Sequence, residues 1–105
     1  MIAKTPHPPY YAVIFTSVRA DVDDGYVAMA DQMMESAGKQ EGFLGVESAR
    51  NDLGITVSYW KDLGSIRNWR EQVDHSIARK LGKEKWYTAY KTRIALVERD
   101  YQFEK

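Results

Sequence analysis

The sequence predicts an α+β fold of the ferredoxin-like type, in which one antiparallel sheet carries helices on one face. Its 105 residues suffice for a single domain of ordinary size. Strand-like and helix-like segments follow each other in the order β-α-β-β-α-β, which is the split βαβ arrangement. A tight reversal at residues 51–54 (NDLG) joins the second and third strands as antiparallel neighbours.

The chain divides into an arm and one domain. Residues 1–9 contain Pro6, Pro8 and Pro9, whose fixed φ angles and missing N–H groups predict an extended arm. Residues 10–105 form the single domain. Its first strand, residues 10–18, is apolar, aromatic or β-branched at alternating positions on both sides, so both faces of this strand are expected to be covered.

The first helix follows residues 21–25 (DVDDG), which offer aspartate N-caps. This segment also resembles the start of a calcium loop, but Tyr26 stands where that loop requires glycine, so helix capping is the better interpretation. Apolar residues spaced by three or four positions form one stripe, and Gly38 is predicted to end the helix as a left-handed glycine. The stripe contains Val22, Tyr26, Met29 or Ala30, Met33 and Ala37.

The second half of the chain again contains strands and helices. Residues 43–50 and 55–60 are strand-like, and Asp62 is placed to cap a helix that bears Leu63, Ile66 and Trp69. A further helical piece extends to Leu81, and residues 90–97 form the last strand.

The sheet face opposite the helices is predicted to be unusually apolar, because the first strand and parts of the last two are apolar on both sides. Such a face requires a partner. The sequence therefore predicts a homodimer that stacks sheet on sheet with twofold symmetry.

Composition excludes several classes of protein. The 15 basic and 15 acidic residues cancel, so nucleic acid is not an expected partner. No apolar run approaches the roughly 20 residues that a bilayer span needs, and no secretory pattern begins the chain. With no cysteine and only two histidines, a metal site is not expected. These features favour a soluble cytoplasmic protein.

The best candidate for chemistry is a polar group at the second helical region, formed by Glu71, His75 and Arg79 beside the apolar stripe. His75 can lie at the mouth of a cavity between helices and sheet, or it can be a half-exposed histidine after an Asp74 N-cap. Trp69, Trp60, Tyr26 and Met33 can likewise wall an aromatic cavity or simply fill the core.

The sequence resembles the antibiotic biosynthesis monooxygenase family. The resemblance covers residues 10–101 and rests on residues 42–47 (GFLGVE), residues 56–60 (TVSYW), Trp69 and, six residues later, His75. It implies a dimeric α+β barrel of two ferredoxin-like units, each with a pocket between its sheet and its helices. Some members oxidise polycyclic phenols with O2 without any prosthetic group, and related members degrade haem.

By this resemblance the chain is expected to oxidise a small aromatic, phenolic or quinone-like compound without a cofactor. His75 would accept the proton, Arg79 would hold the anion, and Trp69, Tyr26 and Met33 would line the pocket. Tyr59 and Trp60 point to opposite faces of their strand, so either can be the third-strand wall. Haem degradation fits less well, because the first strand lacks the asparagine of those members. The alternative is a non-catalytic dimer that binds a small ligand.

Overall fold

The computed structural model describes residues 2–21, 25–74 and 85–105. Within these residues, four strands and two helices follow in the predicted order: β1 Tyr10–Arg19, α1 Tyr26–Gly38, β2 Phe43–Arg50, β3 Gly54–Trp60, α2 Leu63–Asp74 and β4 Tyr87–Val97. The strands form one antiparallel sheet in the order β2-β3-β1-β4. The ferredoxin-like α+β prediction is therefore confirmed.

The two faces of the sheet have different surroundings. β1 pairs with β3 from Tyr11 opposite Trp60 to Ser17 opposite Gly54. Because side chains alternate along a strand, Tyr11, Val13, Phe15 and Ser17 share the face that packs against the helices, which we call the helix face. Tyr10 lies on the other side, the outer face. The core on the helix face consists of Val13, Ala37, Trp60 and Ile66, with Tyr11, Phe43 and Trp69 packed against it.

The ends of α1 differ from the prediction. The helix begins after Gly25, whose φ of 77° is left-handed, and no side chain caps it. Residues 22–24, which include two of the predicted aspartate caps, lie outside the described residues. The prediction of a left-handed Gly38 was wrong: Gly38 is the last helical residue, and the amide of Lys39 closes the turn by donating to the Ser36 carbonyl at 3.2 Å.

The start of α2 confirms the predicted cap. Asp62 is the residue immediately before the helix, and its Oδ1 accepts a hydrogen bond from the Ser65 backbone N–H at 2.7 Å. This bond, together with one from the Ser65 side chain, lowers the pKa of Asp62. The predicted continuation from residue 75 to Leu81 lies outside the described residues. The final strand begins at Tyr87 rather than at Tyr90, so it is longer than predicted.

The N-terminal arm lies across the outer face of its own sheet. The Ala3 backbone N–H donates to Glu47 Oε2 at 2.8 Å, and the Thr5 hydroxyl donates to the Tyr10 hydroxyl at 3.0 Å. The Ala3 side chain packs directly over Gly45, where a larger residue would meet it. The arm thus covers part of the face for which the sequence predicts a partner.

Among the residues described, no helix combines the length and the hydropathy required to span a bilayer.

Candidate functional site

A cavity of about 500 Å³ lies between the helix face of the sheet and the two helices. Strand residues such as Val13, Phe15 and Ser58 form its floor. Met33 from α1 and Trp69 from α2 form part of its roof. A cavity of this size, lined mainly by apolar and aromatic side chains with a few polar groups, is typical of a site for a small organic ligand.

One end of the cavity is walled by an aromatic cluster, which we define as Phe15, Tyr26, Tyr87 and Tyr90. The ring centroid of Phe15 lies 5.5 Å from that of Tyr87 and 5.5 Å from that of Tyr90. The rings of Tyr26 and Tyr87 meet edge to face at 5.8 Å. These separations are typical of favourable aromatic pairs, so the wall is a packed surface against which another flat ring can lie.

Two of the three phenols of this cluster are hydrogen-bonded to each other. The Tyr87 hydroxyl donates to the Tyr26 hydroxyl at 3.3 Å. Burial, followed by this hydrogen bond, raises the pKa of Tyr87 well above its usual value of 10.0. Tyr87 is therefore a neutral phenol at physiological pH, able to donate or accept a hydrogen bond but not to carry charge. On Tyr26, the Arg19 guanidinium lies 3.5 Å from the ring centroid, a cation–π contact.

One tryptophan, backed by a second, forms the wall on the α2 side. The Trp69 indole lines the cavity, and behind it the Trp60 indole is stacked at a centroid distance of 5.3 Å. Trp60 is fully buried, and its Nε1–H donates to Ser58 Oγ at 2.8 Å. Trp60 therefore supports the wall without belonging to the residues that line the cavity.

Tyr59 lies outside the cavity, on the outer face. Its hydroxyl donates to Glu47 Oε1 at 2.6 Å, and its ring meets that of Tyr10 edge to face at 5.8 Å. Burial and the Glu47 carboxylate raise the pKa of Tyr59 to about 12. Of the two alternatives on β3, the structure therefore brings Trp60 to the cavity side and Tyr59 to the opposite one.

A cationic group of the cavity was missed by the sequence analysis. Arg50, the last residue of β2, lines the cavity and donates through Nη2 to Ser17 Oγ on β1. To do so it crosses over Gly54, where a Cβ would overlap the guanidinium. The available signal was the hairpin itself, since its register pairs an arginine directly with a glycine.

The predicted site residues divide into four groups. Tyr26, Met33 and Trp69 come together around the cavity, Trp60 lies behind Trp69, and Tyr59 lies on the other side of the sheet. His75 and Arg79 lie outside the described residues. In the part of the chain that the structure describes, no group of three or more histidine or carboxylate side chains is placed to hold a metal ion.

Comparisons with known proteins agree with this fold. The uncharacterized protein YqjZ of Bacillus subtilis (strain 168) is 46% identical over 106 residues, which cover 99% of this chain and 93% of that protein. The crystal structure of SnoaB, a cofactor-independent oxygenase from Streptomyces nogalater, superposes with a TM-score of 0.68 at 10% identity, covering 93% of this chain and 100% of SnoaB. Rv0793 from Mycobacterium tuberculosis gives a TM-score of 0.67 at 11% identity, covering 90% of this chain and 99% of Rv0793.

At such low identities the two solved structures establish a common fold only. The family itself is given by sequence: the antibiotic biosynthesis monooxygenase model matches residues 9–81, more than half of the chain. The protein is therefore a member of the antibiotic biosynthesis monooxygenase family.

Proposed function

We propose that the protein is a cofactor-independent monooxygenase that oxidises a small phenolic or quinone-like aromatic compound with O2. The observation that carries the proposal is the cavity of about 500 Å³, with an aromatic cluster at one end and the Trp69 indole on another wall. Its volume and its lining suit a planar aromatic ligand. Membership in the family and a common fold with SnoaB, a cofactor-independent oxygenase, add support.

The chemistry requires little from the protein. A phenol that loses its proton becomes an electron-rich phenolate, which can itself transfer electrons to O2. One oxygen atom then enters the ring carbon para to the phenol, and the other leaves as water, so that naphthol and O2 give naphthoquinone and water. The protein needs to bind the ring, accept the phenolic proton and stabilise the anion away from bulk water.

His75 is the proposed proton acceptor. It follows α2 directly in sequence, and α2 contributes Trp69 and Val73 to the lining of the cavity. A histidine is suited to this step because its unperturbed pKa of about 6.5 leaves much of it neutral at pH 7. Arg79 is the proposed partner of the anion.

The active unit is proposed to be a cytoplasmic homodimer that pairs two outer faces. Val18, an apolar residue on this face, remains exposed in the single chain, with 39% of its surface accessible. A mass of one 12.1 kDa chain in sedimentation at micromolar concentration would contradict the dimer.

Oxygen uptake tests the activity. The purified protein is incubated with a panel of anthrols, naphthols and hydroquinones, and O2 consumption and quinone formation are followed together. We expect His75→Ala to lower the rate by about 100-fold or more, the usual contribution of a general base. His7→Ala is the matched control, since His7 is exposed on the arm, and its rate is expected to equal that of the parent.

Two results contradict the proposal. Activity that survives His75→Ala unchanged removes the proposed base. Tight binding of several aromatic compounds without turnover of any of them favours the alternative function, a dimeric protein that binds a small ligand without transforming it.

A further inference from the structure

We propose that the ligand of the cavity is an aromatic carboxylate and that Arg50 binds its carboxylate group. This inference rests on the proposed use of the cavity for an aromatic substrate and narrows its chemical class. It does not depend on oxygenation, because binding can be measured without O2.

The position of the guanidinium is built by three strands. Arg50 on β2 reaches across the first residue of β3 and donates to Ser17 on β1, a side chain with only 1% of its surface exposed. The crossing is possible because β3 has glycine at this point. Ser17 therefore fixes one end of the guanidinium. Arg50 as a whole nevertheless remains exposed, and it borders the cavity.

The charge of Arg50 is not neutralised by the described part of the chain. No carboxylate there forms an ion pair with it. Among the described residues, the cavity lining contains one carboxylate, Asp31 on α1, against two guanidinium groups, Arg50 and Arg70. A guanidinium has five N–H donors in a planar fork, so the bond to Ser17 leaves donors free for both oxygens of a carboxylate.

The rest of such a ligand has a matching surface beside this group. Ser17 pairs with Tyr90 across β1 and β4, and Phe15 lies two residues away on the same face. Phe15 and Tyr90 belong to the aromatic cluster, with ring centroids 5.5 Å apart. A carboxylate on Arg50 thus places the ring that bears it against the cluster, which explains why we favour an aromatic acid over an aliphatic one.

Calorimetric titration in oxygen-free buffer tests the proposal with two probes, a hydroxynaphthoate and the naphthol that lacks its carboxylate. We expect the parent protein to bind the hydroxynaphthoate about tenfold more tightly or better, as a charge-assisted bidentate pair allows. Arg50→Gln is expected to abolish this preference while the affinity for naphthol changes less than about twofold.

Two further variants separate recognition from structure. Gly54→Ala retains the arginine but displaces its guanidinium, so the preference is expected to fall between those of the parent and Arg50→Gln. Arg67→Gln removes an exposed positive charge of α2 outside the cavity lining, and the preference of the parent should persist.

Several outcomes would overturn the assignment of Arg50. A purely structural role, as hydrogen-bond donor to Ser17, predicts that Arg50→Gln lowers the melting temperature but keeps the preference for the carboxylate. A parent protein without any preference, or without measurable binding of either probe, contradicts it directly. Failure of oxygen uptake with intact, Arg50-dependent binding would contradict only the proposed oxygenase activity.

Discussion

The Trp69 indole stacks on the Trp60 indole with 29° between the ring planes, yet the two N–H groups have different environments. Trp60 Nε1 donates to Ser58 Oγ. Trp69 Nε1 is buried and has no acceptor among the described residues. The Trp60 N–H is thus hydrogen-bonded. The Trp69 indole, which borders the cavity, carries an unpaired N–H donor.

This difference predicts unequal responses to the same substitution. Trp60→Phe leaves the buried Ser58 hydroxyl without its donor and should cost about 2 kcal/mol in the free energy of unfolding. Trp69→Phe removes a donor that has no acceptor and should cost less than about 1 kcal/mol. Urea unfolding followed by circular dichroism measures both. Equal losses, or a larger loss for Trp69→Phe, would contradict the contrast between the two indoles.

Glu47 makes stability depend on pH in the acid range. Hydrogen bonds from the Tyr59 hydroxyl and the Ala3 backbone N–H lower its pKa below the usual 4.5. Because the pKa is lower in the folded state, the ionised carboxylate stabilises the fold above about pH 4.5, and this contribution is lost as the pH falls through the lowered value. Glu47→Gln should therefore be less stable than the parent at pH 7, with the gap closing at pH 3.

The matched control is Glu104→Gln, since Glu104 is exposed near the C-terminus. Its unfolding free energy should follow that of the parent from pH 7 to pH 3. If the difference in unfolding free energy between Glu47→Gln and the parent is the same at both pH values, the ionised carboxylate of Glu47 does not stabilise the fold.

The raised pKa of Tyr59 predicts that its phenol ionises late in an alkaline titration. Burial and the bond to Glu47 raise its pKa from 10.0 to about 12. A raised folded-state pKa means that the neutral phenol stabilises the fold below pH 10 and that this contribution disappears as the pH rises through about 12. Tyr59→Phe should remove one tyrosinate absorbance step near pH 12. Tyr101→Phe, a change at an exposed C-terminal residue, should leave that step in place.

Two glycines should respond in opposite directions to alanine. Gly42 has a φ of 88°, and a Cβ there would overlap the Ser65 side chain, so Gly42→Ala should cost about 2 kcal/mol. Gly38 ends α1, and no heavy atom lies within 4 Å of the position that a Cβ would take there. Gly38→Ala should therefore raise the free energy of unfolding by roughly 0.4–1 kcal/mol. Calorimetric melting of both variants checks the signs, and a stabilised Gly42→Ala would show that the turn does not need glycine.

The order of the elements could be predicted because it depends on local patterns. The alternation of β1, the stripe of α1 and the Asp62 cap are all properties of neighbouring residues, and the structure agrees with each. The end of α1 could not be predicted with the same success. A glycine can end a helix in the left-handed region, but Gly38 remains in the helix because Lys39 closes the last turn without a positive φ.

The site could be predicted only in part, for a geometric reason. Tyr26, Met33 and Trp69 lie on the cavity because helical spacing already aligns their faces. Arg50 could not be recognised, because its position depends on the register with Gly54 and on a contact with Ser17, 33 residues away in sequence. The sequence could not decide between Tyr59 and Trp60 either, because each of the two faces of β3 carries an aromatic residue. The roles of His75 and Arg79 stay predictions.

The alternation of β1 has an evolutionary consequence. Val13 and Phe15 border the cavity, whereas their neighbours of even number belong to the opposite side. Point mutations at odd positions can thus alter ligand preference while the outer face is preserved, and the converse holds for even positions. Insertion or deletion of a single residue would exchange the two sets and damage both at once. In this strand, divergence among relatives should therefore proceed by replacement rather than by changes of length.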